Sequence, residues 1–268
     1  MQLSVVIPAH NEKAGLGNLL LEIHDALVGL IEFETILVDD ASTDGTFEFL
    51  SSLQHQVPEL KVVRLETNCG QSMALMAGID LASGDLVATL DGDGQNDPRD
   101  LLKMVTQLLS DPSVGMVIGH RRRRYDSWWR LVSSRIANAV RSRILRDATP
   151  DSGCGIKVLR RTTFLRLPRF NHMHRFLPAL VRRDGWQVMS MEVHHRRRMH
   201  GRSHYGTIGR LMAGLLDLAG VAWLLHRSRL PVIEKVCSGH DDRTGVGKLR
   251  VDGPAAVHGP VSDSMVRQ

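Results

Sequence analysis

The sequence predicts a three-layer α/β fold on a mostly parallel sheet, followed by an amphipathic helical portion. Three observations lead there. Short apolar runs alternate with helix-period segments through the first 118 residues, aspartates stand at the ends of two of those runs, and the texture turns basic and amphipathic after residue 119. Strand, helix, strand in repetition implies a sheet covered by helices, with ligands bound beyond the carboxyl ends of its strands. At 268 residues and 43% hydrophobic content, the chain can bury a substantial core.

In chain order, LSVVI (3–7), ETILVDD (34–40), KVVRLE (61–66), DLVATLD (85–91) and VGMVIG (114–119) read as strands. Amphipathic segments near 12–28, 43–53, 71–82 and 99–110 fill the gaps as helices. If the strands are parallel, Asp39 and Asp40 at the end of one, and Asp91 and Asp93 after another, lie along one edge.

The net charge of +5 hides a division: residues 1–118 carry 5 Lys and Arg against 18 Asp and Glu, and residues 119–268 carry 29 against 11. That sorting suggests an acidic half that holds metal or sugar hydroxyls, and a basic half that meets phosphates, nucleic acid or an anionic membrane. Nucleic acid is the weakest of these, because aromatic residues are 4% of the chain and no binding module is recognisable. Cys69, Cys154 and Cys237 are few, odd in number and far apart, which fits buried small residues in a reducing compartment. No secretory signal is visible before Leu3, so the catalytic part is expected to face the cytoplasm.

The stretch LDGDGQNDP (90–98) places three aspartates in seven residues after an apolar run. A calcium loop begins similarly but needs glycine at its sixth place and glutamate at its twelfth, where this chain has Asn96 and Leu102. A nicotinamide site is disfavoured because the first strand turn reads PAHNE, without the required glycines, and no Walker lysine loop occurs. A nucleotide site built on carboxylates remains. Mg2+ or Mn2+ suits it, since such ions take one or two carboxylates and complete their octahedron with phosphate and water. Asp97, beside Pro98, is expected to cap the following helix.

Beyond residue 119, Trp128, Val132, Ile136, Val140 and Ile144 recur at i, i+4 spacing within an arginine-rich segment, 119–146. Such a helix either lies in a membrane interface or packs on the sheet. The most apolar run, Leu211 to Leu225, is about fifteen residues long and contains Asp217, whereas a spanning helix needs roughly twenty. An interfacial helix over 207–230 is the better expectation, leaving 231–268 as a polar tail expected to be disordered.

Several of these segments carry a resemblance. SVVIPAHNE (4–12), LVDDASTDGT (37–46), NCGQ (68–71), ASGD (82–85) and LDGDGQNDP (90–98), in this order, resemble family 2 glycosyltransferases. GHRRRRYDSWWRLVSSRIAN (119–138), DSGCGIKVLRR (151–161) and RRMHGRSHYG (197–206) resemble the branch that transfers sugars to polyprenyl phosphates, the dolichyl-phosphate mannosyltransferase-like enzymes. The resemblance spans roughly residues 1 to 230. It implies a nucleotide-diphospho-sugar transferase (GT-A) fold over 1–206 and inverting transfer from a nucleotide-diphosphate sugar to a polyprenyl phosphate at a membrane surface. By motif position it implies that Pro8, Asn11, Glu12 and Gly70 shape the nucleotide pocket and that Asp39 and Asp40 reach the base or ribose. Asp91 and Asp93 would hold the metal and the donor diphosphate, with Gln95 assisting.

The acceptor side follows a physical logic of its own. A phosphate monoester is already mostly ionised at neutral pH, with a second pKa of about 6, so it needs binding and aiming rather than a general base. Arginine does this through its fork of donors. The candidates by motif position are Arg121, Arg130 and Arg198, with Ser203 as a further phosphate donor. His204 stands where the family usually has lysine, which predicts acceptor binding that weakens as pH rises through the histidine titration. Many relatives carry transmembrane helices that this sequence lacks, so the expectation is a monotopic protein or one with a membrane-protein partner. Two alternatives stay open: a hydroxyl acceptor with Asp151 as base, and a non-catalytic membrane or nucleic-acid binding protein.

Overall fold

The computed structural model describes residues 1–121, 140–147, 149–196 and 207–227, with side chains in the last stretch from residue 214. The elements are β1 (Gln2–Ala9), α1 (Lys13–Leu27), β2 (Glu32–Asp39), α2 (Thr46–Leu53), β3 (Leu60–Arg64), α3 (Gln71–Asp80), β4 (Leu86–Thr89), α4 (Asp100–Ser110) and β5 (Val114–Arg121). A helix described over 140–145 (α5) follows. Then come β6 (Lys157–Arg160), α6 (Arg161–Leu165), a 3-10 turn (Met173–Arg175), α7 (Leu177–Arg183), β7 (Gln187–Val193) and α8 (Thr207–Arg227).

The five expected strands and four expected helices are all present, with ends shifted by up to three residues. Every β1 residue from Leu3 to Ala9 is buried, as a central parallel strand covered on both faces must be. On α4 the buried positions Leu101, Met104, Val105 and Leu108 form one apolar stripe against the sheet. The sheet has seven strands in the order β3-β2-β1-β4-β6-β5-β7. β1 pairs in parallel with both β2 and β4, whereas β6 runs antiparallel between β4 and β5. The chain moves outward from β1 to β3, then returns through α3 to the other side of β1. The crevice between the carboxyl ends of β1 and β4 is therefore the topological switch point, where open α/β sheets bind ligands.

β6 and β7 were not anticipated. β6 is only four residues, KVLR, with charge at both ends. β7, at the sheet edge, buries only Val188 and Val193 and leaves the residues between them partly or fully exposed, rather than forming an apolar run. The fold reading survives, but the sheet is mixed in its second half.

Glu34 on β2 explains the ASGD stretch. Its Oε1 accepts from Ser4 Oγ at 2.6 Å, Ser83 N at 2.7 Å and Ser83 Oγ at 2.7 Å, and its Oε2 meets Lys61 Nζ at 2.5 Å. Burial would raise its pKa, but these partners carry it down to about 2. One carboxylate thus ties β1, β2 and the turn into β4 at the end of the sheet opposite the switch point.

Both amphipathic helices leave large apolar side chains exposed as well as burying some. On α5, Val140 and Ile144 are exposed, while Arg141 and Leu145 are buried. Arg141 donates to the Thr149 carbonyl at 2.6 Å and lies 3.5 Å from Asp147. The described end of the predicted stripe is therefore exposed, while the same helix packs inward through Arg141 and Leu145; Trp128, Val132 and Ile136 lie outside the described residues. On α8, Leu218 and Val221 are buried, while Leu215, Leu216 and Trp223 are exposed, Leu216 by 71%. Asp217, the charge inside the apolar run, pairs with His172 at 2.8 Å and so ties α8 to the 3-10 turn region. Among the described residues no helix is long and apolar enough to cross a membrane.

Candidate active site

The crevice between β1 and β4 collects most of the singled-out residues. Past Pro8, Asn11 takes a left-handed backbone, φ 55°, which asparagine tolerates better than most residues. Its N–H donates to Ser42 Oγ at 2.9 Å, and its Oδ1 accepts from Thr43 N at 2.8 Å, which joins the β1–α1 turn to the β2–α2 turn. A cavity of about 370 Å³ opens beside it, lined by residues 11–15, Asp44, Gly92 and Asp93. Glu12 also reaches the aspartate loop: a Cβ on Gly92 would stand 2.4 Å from Glu12 Oε2. A side chain there would displace the Glu12 carboxylate and crowd the Pro8 carbonyl, 3.2 Å from that Cβ.

Asp39 and Asp40, expected at the base or ribose, are engaged within the protein. Asp40 accepts from the backbone N–H of Cys69 at 2.7 Å and of Gly70 at 2.8 Å. Asp39 has no exposed surface, accepts from Ser42 N at 3.2 Å and lies 3.6 Å from Arg64 Nε. These bonds shape the loops around the crevice, and Asp39 Oδ2, buried, makes no hydrogen bond. Cys69 is exposed, contrary to the expectation of buried thiols. Cys154 is buried as expected, and burial pushes its pKa up to about 11. Cys237 lies outside the described residues.

Asp91 sits on the crevice floor. Burial first, and then the neighbouring Asp93, raises its pKa, although part of its surface stays open. Gln71, the first residue of α3, donates to Asp91 Oδ1 at 2.8 Å. Gly155, just before β6, passes directly over the carboxylate; a Cβ there would stand 2.1 Å from Asp91 Oδ2. The Gly155 carbonyl accepts from Thr89 Oγ1 at 2.7 Å, so the last residue of β4 holds that passage in place. Asp93 Oδ1 accepts from Gln95 N at 3.0 Å. Gln95, expected to help hold a metal, sends its amide nitrogen to the Arg196 carbonyl at 3.3 Å.

Two carboxylates with hard oxygens, one of them held against its own repulsion, form a donor set that a divalent cation relieves. Among the described residues no group of three or more His, Cys, Asp or Glu converges on one point. A cation here would therefore draw its remaining ligands from phosphate and water.

The β5 end is cationic but internally paired. Arg121, expected to face an acceptor phosphate, closes its fork on Asp151, Nε to Oδ2 at 2.7 Å and Nη2 to Oδ1 at 2.9 Å. Burial opposes the arginine charge, yet this pairing raises its pKa, so it remains a cation. Lys157, buried on β6, donates to the Cys154 carbonyl, and burial lowers its pKa among Cys154, Asp91 and Asp151. His174 is bound through Nδ1 to Ser72 Oγ at 2.7 Å; burial, then Lys157 and Arg175, lower its pKa far enough to keep it neutral. Arg130, Arg198, Ser203 and His204 lie outside the described residues.

Sequence reasoning missed four contributors: Gln71, Gly155, Lys157 and His174. Gln71, Gly155 and Lys157 lay inside segments already quoted, but their types carried no signal of what they touch. His174 sits in a segment without recognised pattern.

A family model described as glycosyl transferase family 2 matches residues 4–167. A dodecaprenyl-phosphate galacturonate synthase of Rhizobium johnstonii is 36% identical over 236 residues, covering 86% of this chain and 69% of that protein. An undecaprenyl-phosphate 4-deoxy-4-formamido-L-arabinose transferase of Aeromonas hydrophila subsp. hydrophila is 36% identical over 205 residues, covering 76% of this chain and 62% of that one. The chain thus spans about two thirds of the length of these relatives. Among solved structures, a mannosyltransferase of Pyrobaculum calidifontis in complex with GDP-Man and Mn2+ superposes with a TM-score of 0.64 at 22% identity, over 85% of this chain and 65% of that one. A glucosyl-3-phosphoglycerate synthase of Mycobacterium tuberculosis, in complex with Mn2+, UDP and its product, gives 0.62 at 20% identity, over 82% and 80%. These two likenesses establish the fold.

Proposed function

The chain belongs to glycosyl transferase family 2, and from that premise we propose that it transfers a sugar from a nucleotide-diphosphate sugar to a polyprenyl phosphate. The product is a polyprenyl-phosphate sugar. The observation that carries the choice of acceptor is the locked Arg121–Asp151 pair. A hydroxyl acceptor needs a carboxylate free to take its proton, and the one suggested for that task is gripped at both oxygens by a guanidinium. An ionised phosphate needs no such base.

In this reading the donor lies in the crevice between β1 and β4, with Asn11, Glu12 and the loop held by Asp40 shaping its nucleotide end. Asp91 and Asp93 would hold a divalent cation, Mg2+ or Mn2+, which when bound would neutralise the charge of the nucleotide diphosphate. Gln71 and Gly155 fix where the Asp91 oxygens point. Arg121, still cationic, contributes positive potential on the side from which an anionic acceptor arrives, and Arg130, Arg198 and Ser203 are its proposed partners there. Displacement is in line, with inversion at the anomeric carbon.

The acceptor's lipid tail requires a membrane surface. The outward-facing Val140 and Ile144 of α5 and Leu215, Leu216 and Trp223 of α8 support docking by the interfacial helices, without spanning. We place this surface on the cytoplasmic leaflet, with or without a membrane-protein partner.

The test is transfer by purified protein with Mg2+ or Mn2+, vesicles containing a polyprenyl phosphate, and a panel of nucleotide sugars, with products read by mass. A lipid-phosphate-sugar product supports the reading. If every donor fails while metal-dependent nucleotide-sugar binding persists, the acceptor assignment is wrong.

A further inference from the structure

We propose that Arg196 is the positioning residue that holds the aspartate loop in its metal-binding shape, by tying that loop to the end of β7 and to α1. The proposal rests on the reading of Asp91 and Asp93 as the metal-holding pair.

The loop over residues 91–99 carries little structure of its own. Two of its first four residues are glycines, Gly92 and Gly94, the latter at φ 69°, and its main internal contacts to Asp93 and Asp97 are short-range turns. Something outside must hold it, and the segment just after β7 does. Arg196 N donates to the Gln95 carbonyl at 2.9 Å, and Gln95 Nε2 returns a bond to the Arg196 carbonyl at 3.3 Å. Asn96 and His195 form an antiparallel bridge, and His194 N donates to Asp100 Oδ2 at 2.7 Å. Backbone bonds at residues 195 and 196 thus tie the loop down at Gln95 and Asn96, and His194 holds the adjoining start of α4.

The Arg196 side chain completes this clamp across three elements. Nη2 lies 3.0 Å from Asp97 Oδ2 in the loop, while Nη1 reaches Glu22 on α1 at 2.8 and 2.7 Å. Asp97 is buried; burial alone would raise its pKa, yet Arg99 and Arg196 together hold it well below the usual carboxylate range. The two arginines act differently. Arg99 comes from the same loop and its side chain is 75% exposed, so it binds the loop to itself. Arg196 brings its charge from another element and anchors the loop to the domain. A guanidinium can grip two carboxylates on two edges at once, which a lysine point charge cannot.

The position also has a consequence for the acceptor. Arg196 immediately precedes residues 197–206, the basic segment containing Arg198 and Ser203. The loop for the donor metal and the segment expected at the acceptor phosphate therefore depart from one knot.

The experiment uses the full chain and two readouts besides activity. The first is calorimetric titration of Mn2+ in the presence of UDP or GDP, and the second is amide hydrogen exchange over residues 93–100. Arg196→Met is expected to weaken Mn2+ binding about tenfold, as losses of groups that orient a metal ligand do, and to raise exchange in that loop selectively. Arg196→Lys recovers only part of the loss. Asp97→Asn removes the partner of Arg196 and also that of Arg99, so it weakens Mn2+ binding at least as much, and adding Arg196→Met to it deepens the loss little. Glu22→Gln, which cuts only the α1 contact, keeps Mn2+ binding within about twofold if Asp97 is the functional partner.

The proposal is overturned if Arg196→Met leaves Mn2+ binding within about twofold of wild type, or if exchange rises throughout the domain rather than in the loop. Should the wild type itself bind no Mn2+ with nucleotide, the metal reading falls. The exchange measurement then decides the clamp alone, and unchanged protection of 93–100 in Arg196→Met refutes it.

Discussion

Replacing Gly155 by alanine adds one methyl group at the most crowded point of the site. Its Cβ would stand 2.1 Å from Asp91 Oδ2, 2.3 Å from Cγ and 2.7 Å from Oδ1. Ordinary contact begins near 3.4 Å, so the carboxylate must retreat by about 1.3 Å or the passage before β6 must lift by as much. Lifting it strains the Thr89 bond to the Gly155 carbonyl, and moving Asp91 breaks its bond to Gln71. Overpacking of this kind costs roughly 1–3 kcal/mol of stability, which a domain of this size survives. Misplacing a reacting group by about 1 Å costs on the order of 100-fold in rate. The expected result is a folded protein by circular dichroism, with kcat/KM down about 100-fold and Mn2+ binding weakened in parallel. Assays of sugar transfer and metal titration on the same preparation decide it. A Gly155→Ala variant that keeps more than about half the wild-type kcat/KM with unchanged metal affinity would refute the claim that Asp91 must stand where the structure puts it.

Asp93→Ala should abolish turnover while leaving the melting temperature close to wild type; more than about a tenth of the wild-type rate remaining would remove Asp93 from the metal-holding pair. Asp151→Asn leaves the half-buried Arg121 without its partner and should cost about 3–5 kcal/mol in urea unfolding, which an unchanged midpoint would contradict. Glu34→Gln probes the end of the sheet opposite the crevice. The native carboxyl stands at about 2 against an ordinary 4.5, so its stabilisation is present above 4.5 and lost as pH falls through 2. That difference corresponds to about 3 kcal/mol, so the variant should be destabilised by roughly that amount at pH 7 and approach wild-type stability as pH falls toward 2. A deficit of equal size at both ends of the range would show that the ionised state is not what matters.

The parallel half of the fold was legible because most of its strands are apolar runs bounded by polar turns, and α1 and α4 carry clear 3.6-residue stripes. β6 and β7 were not, since a four-residue strand with a charge at each end and an edge strand with only two buried residues look like loop in a basic stretch. For the site, spacing alone located Asp91 and Asp93 at a strand end, and the topology then placed that end at the switch point. Asp39 and Asp40 show the limit of motif reading. Two aspartates at a strand end carry no sign in sequence of the loops they hold, and only the bonds to Cys69, Gly70 and Ser42 show it. Arg121 repeats the lesson, because a phosphate-binding fork and a fork closed on Asp151 have the same sequence. Gly155 was invisible for the opposite reason: what it contributes is the absence of a side chain.

The central claim is that the acceptor atom is an already ionised phosphate oxygen, and the most direct measurement compares transfer to a polyprenyl phosphate and to the matching polyprenol. Both lipids are presented in the same vesicles, with one nucleotide sugar and saturating metal, across pH 6 to 8.5. The account predicts product from the phosphate alone, with the sugar attached through the phosphate by mass, and none from the alcohol. Transfer to the alcohol at a comparable rate, abolished by Asp151→Asn, would contradict it and return Asp151 to the role of base.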